Sequence, residues 1–458
     1  MAAVTSSIKR TRLIITILAF LLLSGGTLLA IKIAKGYRPN ISKMALKGTG
    51  LLSTTSYPKG AQVFINDRLT TVTDDTLYLS PADYNIKIIK TGFHAWSKTF
   101  PIKPELVSTT DARLFPAIPS STPLTFYLVT KPLISPDGNR LAYILTNSPF
   151  SQDNGVYVLS LSNNMILGNQ IVQIADMTAH DYTKAELVWS PDATQILAIF
   201  HDDKKIASSH LLNSRGMNQA KNLVDTTIRL PLLLTQWQEQ LAAINKNNLT
   251  RLPDLIAKIA TSSATNVYFS PDREKLLYTA KNNLDLPNNL IGKTVPSINP
   301  AAQNRKLEAG KTYVYDLKED SNYLIKEADY NPNTEEPFVI DGTLPPSTIT
   351  PTPTKNAPKP AVASELDKIV KQINLLRGQT DPHITQNLSW YSTSRHLVVT
   401  SQEGVSIIEY DDNNAASIVS AQINGNFATS TTDGNRLMIL SNLNQKQDIY
   451  NLVSLDLK

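Results

Sequence analysis

The stretch Ser135–Ile144, SPDGNRLAYI, sets a turn directly against a strand. Pro136 presets φ, Asp137 can bond nearby backbone N–H groups, and Gly138 accepts a positive φ. Leu141, Tyr143 and Leu145 then alternate with a period of two, the mark of a half-buried strand. The pattern returns as WSPDATQILAIF from Trp189, FSPDREKLLYTA from Phe269, WYSTSRHLVVTS from Trp390 and STTDGNRLMILS from Ser430. A segment that recurs in this way reads as a structural repeat rather than as an enzyme motif.

Each recurrence carries its own alternation. Ile196, Ala198 and Phe200 follow Asp192; Leu276 and Tyr278 follow Asp272; Leu397 and Val399 follow Ser392; Leu437 and Ile439 follow Asp433. Second strands close several units: GVYVLSLSNN from Gly155, KTYVYDLKED from Lys311, GVSIIEYDDN from Gly404 and DIYNLVSLDL from Asp448. Turn, strand, turn, strand is how a four-stranded propeller blade reads. The SPDG-x-x-L-x-Y signature resembles the repeats of TolB and WD40-like β-propellers, which implies a mainly β head whose blades stack through their apolar faces.

Spacing sets the blade count. Ser135 to Ser190 is 55 residues, Ser190 to Ser270 is 80, Ser270 to Ser392 is 122 and Ser392 to Thr432 is 40. The 80-residue gap holds Trp237 and Leu241, read as the turn and return of a degenerate blade. About six blades result, with five or seven compatible. The propeller is expected over 122–330 and 364–458, divided by an insertion at 331–363. Asn331–Pro360 carries eight of the chain's 27 prolines, a composition that predicts a disordered, polyproline-like segment. From Ser364, SELDKIVKQINLL spaces Leu366, Ile369, Val370 and Ile373 as a short amphipathic helix.

The N-terminus supplies an address. Leu13–Ile31 is uncharged, and 19 residues at about 1.5 Å each nearly match a hydrocarbon core of roughly 30 Å. Lys9, Arg10 and Arg12 precede this run and Lys32, Lys35 and Arg38 follow it, so charge alone leaves orientation open. The long polar, β-rich remainder favours a cytoplasmic tail at 1–12, a single transmembrane helix at 13–34 and everything after it outside the cell membrane. A cleaved signal peptide is the rival, with a poor small-residue cleavage pattern.

A compact β module is expected over 48–116. Pro58-Lys59-Gly60 turns into alternating Ala61, Val63 and Ile65; Leu77 and Leu79 alternate, Pro81-Ala82-Asp83 turns, and Tyr84, Ile86 and Ile88 resume the period before Gly92. This resembles the PEGA domain, a small β-sandwich named for its Pro-Glu-Gly-Ala turn. Lys59 stands where that family has glutamate, and Asp83 where it has glycine before the tyrosine. The resemblance implies a binding or spacer module of a bacterial surface protein.

Candidate chemistry is sparse. The chain has 458 residues, net charge +5 and no cysteine, which excludes disulfides, thiolate metal sites and cysteine nucleophiles. The modest charge is no nucleic-acid footprint. Gly292-Lys293-Thr294 and Gly310-Lys311-Thr312 lack the upstream glycine of a phosphate loop. His201-Asp202-Asp203 with His210 has no metal-ligand spacing. Asp137, Asp192, Asp272 and Asp433 read as turn caps at equivalent positions, and Trp189, Phe269 and Trp390 as packing residues between blades. No catalytic, cofactor or metal residue is assigned, and the binding residues stay unidentified.

The expectation is a non-enzymatic, membrane-anchored extracytoplasmic protein. Its PEGA-like module is a stalk and its propeller a head for an envelope protein or glycan. The alternative is a cell-envelope hydrolase with acidic residues at the channel mouth.

Overall fold

The computed structural model describes residues 2–34, 37–40, 45–162, 171–202, 205–292, 299–326, 365–381, 387–401, 403–420, 423–442 and 449–458. The expected insertion at 331–363 lies outside them. The chain forms two compact units, Met1–Leu114 with Ile298–Ala301, and Phe115–Ser297 with Ala302–Lys458.

The first unit opens with helix α1, Ala2–Ala34. Its segment Leu13–Ile33 is 21 residues long, apolar enough to cross a membrane, and unburied. Two sheets follow. Arg68–Val72, Gln62–Ile65, Ala82–Ile89 and Trp96–Ile102 pair antiparallel in that order. Gly50–Thr54 pairs antiparallel with Asp75–Leu79 and parallel with Val107–Thr109. Alternation works as read: Val63, Ile86, Ile88, Trp96 and Phe100 point from the first sheet onto Leu52 of the second.

The second unit contains five four-stranded antiparallel sheets, numbered here in chain order. The first is Leu128–Ile134, Arg140–Thr146, Gly155–Ser160 and Ile171–Asp176. The second is Ala185–Trp189, Gln195–Asp202, Lys205–Asn213 and Val224–Asp225. The third is Ala264–Phe269, Lys275–Ala280, Thr312–Asp316 and Ser321–Ile325. The fourth is Leu388–Trp390, His396–Ser401, Gly404–Glu409 and Ala416–Val419. The fifth is Ile423–Ser430, Arg436–Ser441 and Asn451–Asp456, completed at its edge by Ser121–Pro123. The first four are meanders and the fifth is a three-stranded meander closed by Ser121–Pro123, and each repeat segment is the turn between the first two strands of a meander.

Those turns share one hydrogen-bond pattern. The opening residue exchanges a backbone bond with the residue five positions on: Ser135 N donates to Arg140 O, Ser190 N to Gln195 O, Ser270 N to Lys275 O, Tyr391 N to His396 O and Thr431 N to Arg436 O. The fourth residue is left-handed every time: Gly138 (φ 70°), Ala193 (58°), Arg273 (61°), Ser394 (60°) and Gly434 (67°). This corrects the sequence register at two turns, because Tyr391 and Thr431, not Ser392 and Thr432, are the equivalents of Ser135.

Neighbouring sheets share cores. One cluster joins the first sheet to the second through Ala142, Ile144, Ala185 and Trp189. Another joins third to fourth through Tyr278, Tyr315, Leu397 and Ile408. A further cluster joins fourth to fifth through Val398, Ile407, Leu437 and Val453. Fifth and first meet through Phe427, Met438, Val129 and Tyr143.

Helices stand where a degenerate blade was expected. The strand-like return read at Trp237 and Leu241 is instead helix α2, Leu230–Leu249, with Pro231 in its first turn. Leu230, Leu234, Trp237 and Leu241 recur at steps of four, three and four, so they line one helical face. Helix α3, Asp254–Lys258, leads through a π-helical turn into the third sheet. Helix α4, Glu365–Thr380, forms where the spacing after Ser364 placed it. The buried face of α2 packs with Ile373 and Leu376 of α4 on Val188, Leu197 and Ile199 of the second sheet. Tyr268 of the third sheet donates its hydroxyl to Gly378 O at 2.6 Å, so α4 touches both sheets.

Candidate functional site

The four turn aspartates hold their own loops. Asp137 Oδ1 accepts from Ser135 Oγ at 2.5 Å and Asn139 N at 3.1 Å. Asp192 Oδ1 accepts from Ser190 Oγ at 2.6 Å and Thr194 N at 3.0 Å. Asp272 and Asp433 repeat this with Ser270 and Glu274, and with Thr431 and Asn435. Burial acts to raise the Asp192 carboxyl, but the bonds from Ser190 and Thr194 together outweigh it and hold it low. The fourth turn lacks the carboxylate. There Tyr391 donates its hydroxyl to Gly434 O, in edge contact with Phe115 and His396.

The tryptophans tie sheet to sheet. Trp189 Nε1 donates to Leu133 O at 3.0 Å and Trp390 Nε1 to Tyr268 O at 3.1 Å. In both cases an indole just before one turn reaches the backbone two residues before the preceding sheet's turn. Phe269 occupies the same place with no N–H to offer. Cations repeat the theme: Arg140 stacks 5.5 Å from Trp189, and Lys275 lies 4.9 Å from Tyr410. Lys275 also pairs with Asp316 at 3.6 Å, both buried.

The remaining sequence candidates disperse. Lys293, Thr294 and Asp203 lie outside the described residues. Gly310 (φ 80°) and Lys311 lie in a turn closed from Lys311 N to Glu308 O, and Thr312 Oγ1 meets Thr279 Oγ1 at 2.9 Å in the strand that follows, so no helix N-terminus follows to hold phosphate. His201 faces Glu186, whereas His210 stacks on His180 with centroids 4.3 Å apart, beside Phe200. Among the described residues no three His, Cys, Asp or Glu side chains are grouped to hold a metal ion.

A different set of polar residues stands on or just before the first strands, four residues before each turn. Lys131, Glu186, Asn266 and Asn387 occupy that position in the first four sheets. Lys131 and Asn266 are both left-handed (φ 50°), each at a register shift in its strand. Lys131 Nζ donates to Thr183 O at 2.7 Å and Ala185 O at 2.6 Å. Burial lowers its pKa, and Glu186 opposes that shift. Glu186 is engaged on both oxygens, by Arg377 Nη1 of α4 at 2.8 Å and by His201 Nε2 at 3.2 Å. Just past α4, Asp381 Oδ2 accepts from Ile134 N of the first sheet at 3.1 Å. The end of α4 thus meets first strands of three sheets. Asn266 Oδ1 and Asn387 Oδ1 are buried and carry no hydrogen bond among the described residues. Such a set can orient a polar ligand; Glu186 is already held by two partners and Asp381 by Ile134 N, so neither is a free base. Sequence reading missed this cluster. The available signal was positional, since Lys131 and Glu186 are separated by the same 55 residues as Ser135 and Ser190.

Residues 49–117 match the family model of the PEGA domain, as the Pro58-Lys59-Gly60-Ala61 turn led one to expect. No curated protein matches the chain in sequence. Among solved structures, the chain is similar to a protein described as TolB from Agrobacterium tumefaciens, at 12% identity and a TM-score of 0.20, over 69% of this chain and 71% of that one. It is also similar to TolB from Acinetobacter baumannii, at 11% identity and a TM-score of 0.17, over 81% of this chain and 59% of that one. A protein described as a gluconolactonase aligns at 11% identity and a TM-score of 0.24, over 75% of this chain and 94% of that one. The chain therefore spans under two thirds of the Acinetobacter protein.

Proposed function

We propose that this is a membrane-anchored, extracytoplasmic binding protein, with α1 as anchor, the PEGA-matched module as stalk and the second unit as a propeller-type head. The order of shared cores supports the head. It runs from fifth sheet to first to second, passes through α2 and α4 to the third, and returns by way of the fourth to the fifth. In this reading five sheets form blades, and the helix pair fills a sixth interval.

One observation favours binding over hydrolysis: the recurring aspartates are spent on their own turns, bonded to a hydroxyl and a backbone N–H within the loop. The ligand surface is assigned to the first-strand cluster of Lys131, Glu186 and Arg377. The test is capture of envelope components by the detergent-solubilised full chain. Lys131→Gln should lose the captured ligand, while Asp192→Asn should retain it. Turnover of envelope glycan or peptide that disappears in the aspartate variants would defeat the binding reading.

A further inference from the structure

A second surface on the head is built for a different contact. Between the last strand of the second sheet and α2, Ile228 stands 97% exposed, with Leu232 at 60%, Val224 at 58% and Met217 at 46%. The segment is held firmly. Thr226 N donates to Ser209 O at 2.9 Å, Ser209 N to Thr227 Oγ1 at 2.8 Å, and the Ser209 and Thr226 hydroxyls meet at 2.9 Å. Arg229 N closes the turn onto Thr226 O at 2.9 Å. Nor is the apolar surface overflow from the core, because α2 buries its opposite face on the second sheet. A chain that fixes the backbone on both sides of a fully exposed isoleucine is presenting it.

The charges around it narrow the partner. Residues 215–236 contain Arg215, Lys221 and Arg229, all exposed, against the single acid Asp225. That carboxylate is engaged by Thr227 N at 2.8 Å and Thr227 Oγ1 at 2.6 Å. Exposed apolar side chains interspersed along the chain with exposed cations suit the headgroup and upper acyl region of an anionic bilayer. Resting on the anchored reading above, we propose that this tip rests in an anionic lipid surface, so that the head has a second, reversible contact with the membrane. Tethering makes a weak contact effective, since attachment through α1 keeps the local lipid concentration high.

The absence of cysteine makes the test direct. A single Ile228→Cys, with Leu232→Cys as a second site and Lys318→Cys as an aqueous control, carries an environment-sensitive fluorophore on the full chain in lipid nanodiscs. In phosphatidylglycerol discs the Ile228 label should shift to the blue and be quenched at least about twofold by lipids bearing a shallow quencher. The effect should be mostly lost in phosphatidylcholine, in about 0.5 M salt, or when Arg215, Lys221 and Arg229 are all changed to Gln. A label that keeps its aqueous emission while the chain co-migrates with anionic discs overturns the lipid contact alone. A chain that fails to co-migrate overturns the anchor and the contact together. A blue shift without lipid quenching that grows with protein density assigns the tip to a second copy and also overturns it.

Discussion

Replacing Asp192 by Ala removes the acceptor of three donors, Ser190 Oγ at 2.6 Å, Thr194 N at 3.0 Å and Thr194 Oγ1, which lies 2.8 and 2.9 Å from the two carboxylate oxygens. They do not count equally. Thr194 N keeps a second acceptor in Ser190 Oγ at 3.1 Å, and Thr194 Oγ1 can turn to water. Ser190 is 2% exposed, so its hydroxyl is left as a buried donor with its acceptor gone. An orphaned buried donor costs about 1–3 kcal/mol. Loss of a comparable capping side chain costs about 0.5–2 kcal/mol. A net loss of about 1–2 kcal/mol follows for Asp192, and a smaller one for Asp272, because the equally enclosed Ser270 hydroxyl keeps a second acceptor in Lys275 O at 3.2 Å. The assay is denaturant unfolding of the full chain followed by tryptophan emission. Trp189, Trp237 and Trp390 report the second unit and only Trp96 the first. An unchanged midpoint in both variants, with loss of a captured ligand, would refute the structural role and make these carboxylates part of a binding surface.

The fourth turn position makes a sharper comparison. Arg273 is exposed and left-handed, so Arg273→Gly should stabilise by about 0.5–1 kcal/mol. Gly138→Ala should cost about 1 kcal/mol from the backbone alone, since its new Cβ meets nothing, whereas Gly434→Ala should cost more because its Cβ would lie 3.0 Å from Ser392 Oγ and 3.1 Å from Tyr391 Cε1; unfolding midpoints of the three variants give the order. Acid should act through His210, whose pKa is lowered by burial first and then by His180. The unfolded chain then takes up its proton first, so stability should hold above about pH 6.5 and fall as pH drops toward the native pKa. Midpoints measured from pH 7.5 down to 5 should lose that slope in His210→Phe, while losses through Asp192, whose carboxyl is held low, begin only at lower pH.

Local chemistry was legible wherever one residue type serves one backbone need. The Ser-x-Asp turns, the alternation at Val63 and Ile86 and the helix after Ser364 could all be read because turn, strand and helix impose their own periods. The register at Tyr391 was not readable from the Ser-x-Asp pattern, because Tyr391 and Thr393 stand in place of that pair, and the left-handed Ser394 with the Tyr391 N to His396 O bond marks the equivalence. Helix α2 was obscured because Trp237 and Leu241 read as the turn and return of a degenerate blade, although its apolar steps of four and three were present. The first-strand cluster demanded more, since Glu186 and Arg377 lie 191 residues apart and meet only after α4 has folded back onto the second sheet.

The short strand Ser121–Pro123 bears on how the head is made. It pairs with Asn451–Asp456, aligning Ser121 with Leu455 and Pro123 with Val453. These partners emerge at opposite ends of synthesis of the unit. The edge that will receive Ser121–Pro123 does not exist until nearly the whole head has been made, so contacts of very high sequence separation must form last, which slows folding. Meanwhile the chain carries unpaired strand edges that invite association with other chains. A chaperone that shields nascent edges should therefore raise the yield of this protein, and trimming the C-terminal strand should release Ser121–Pro123 and unfasten the fifth sheet from the first.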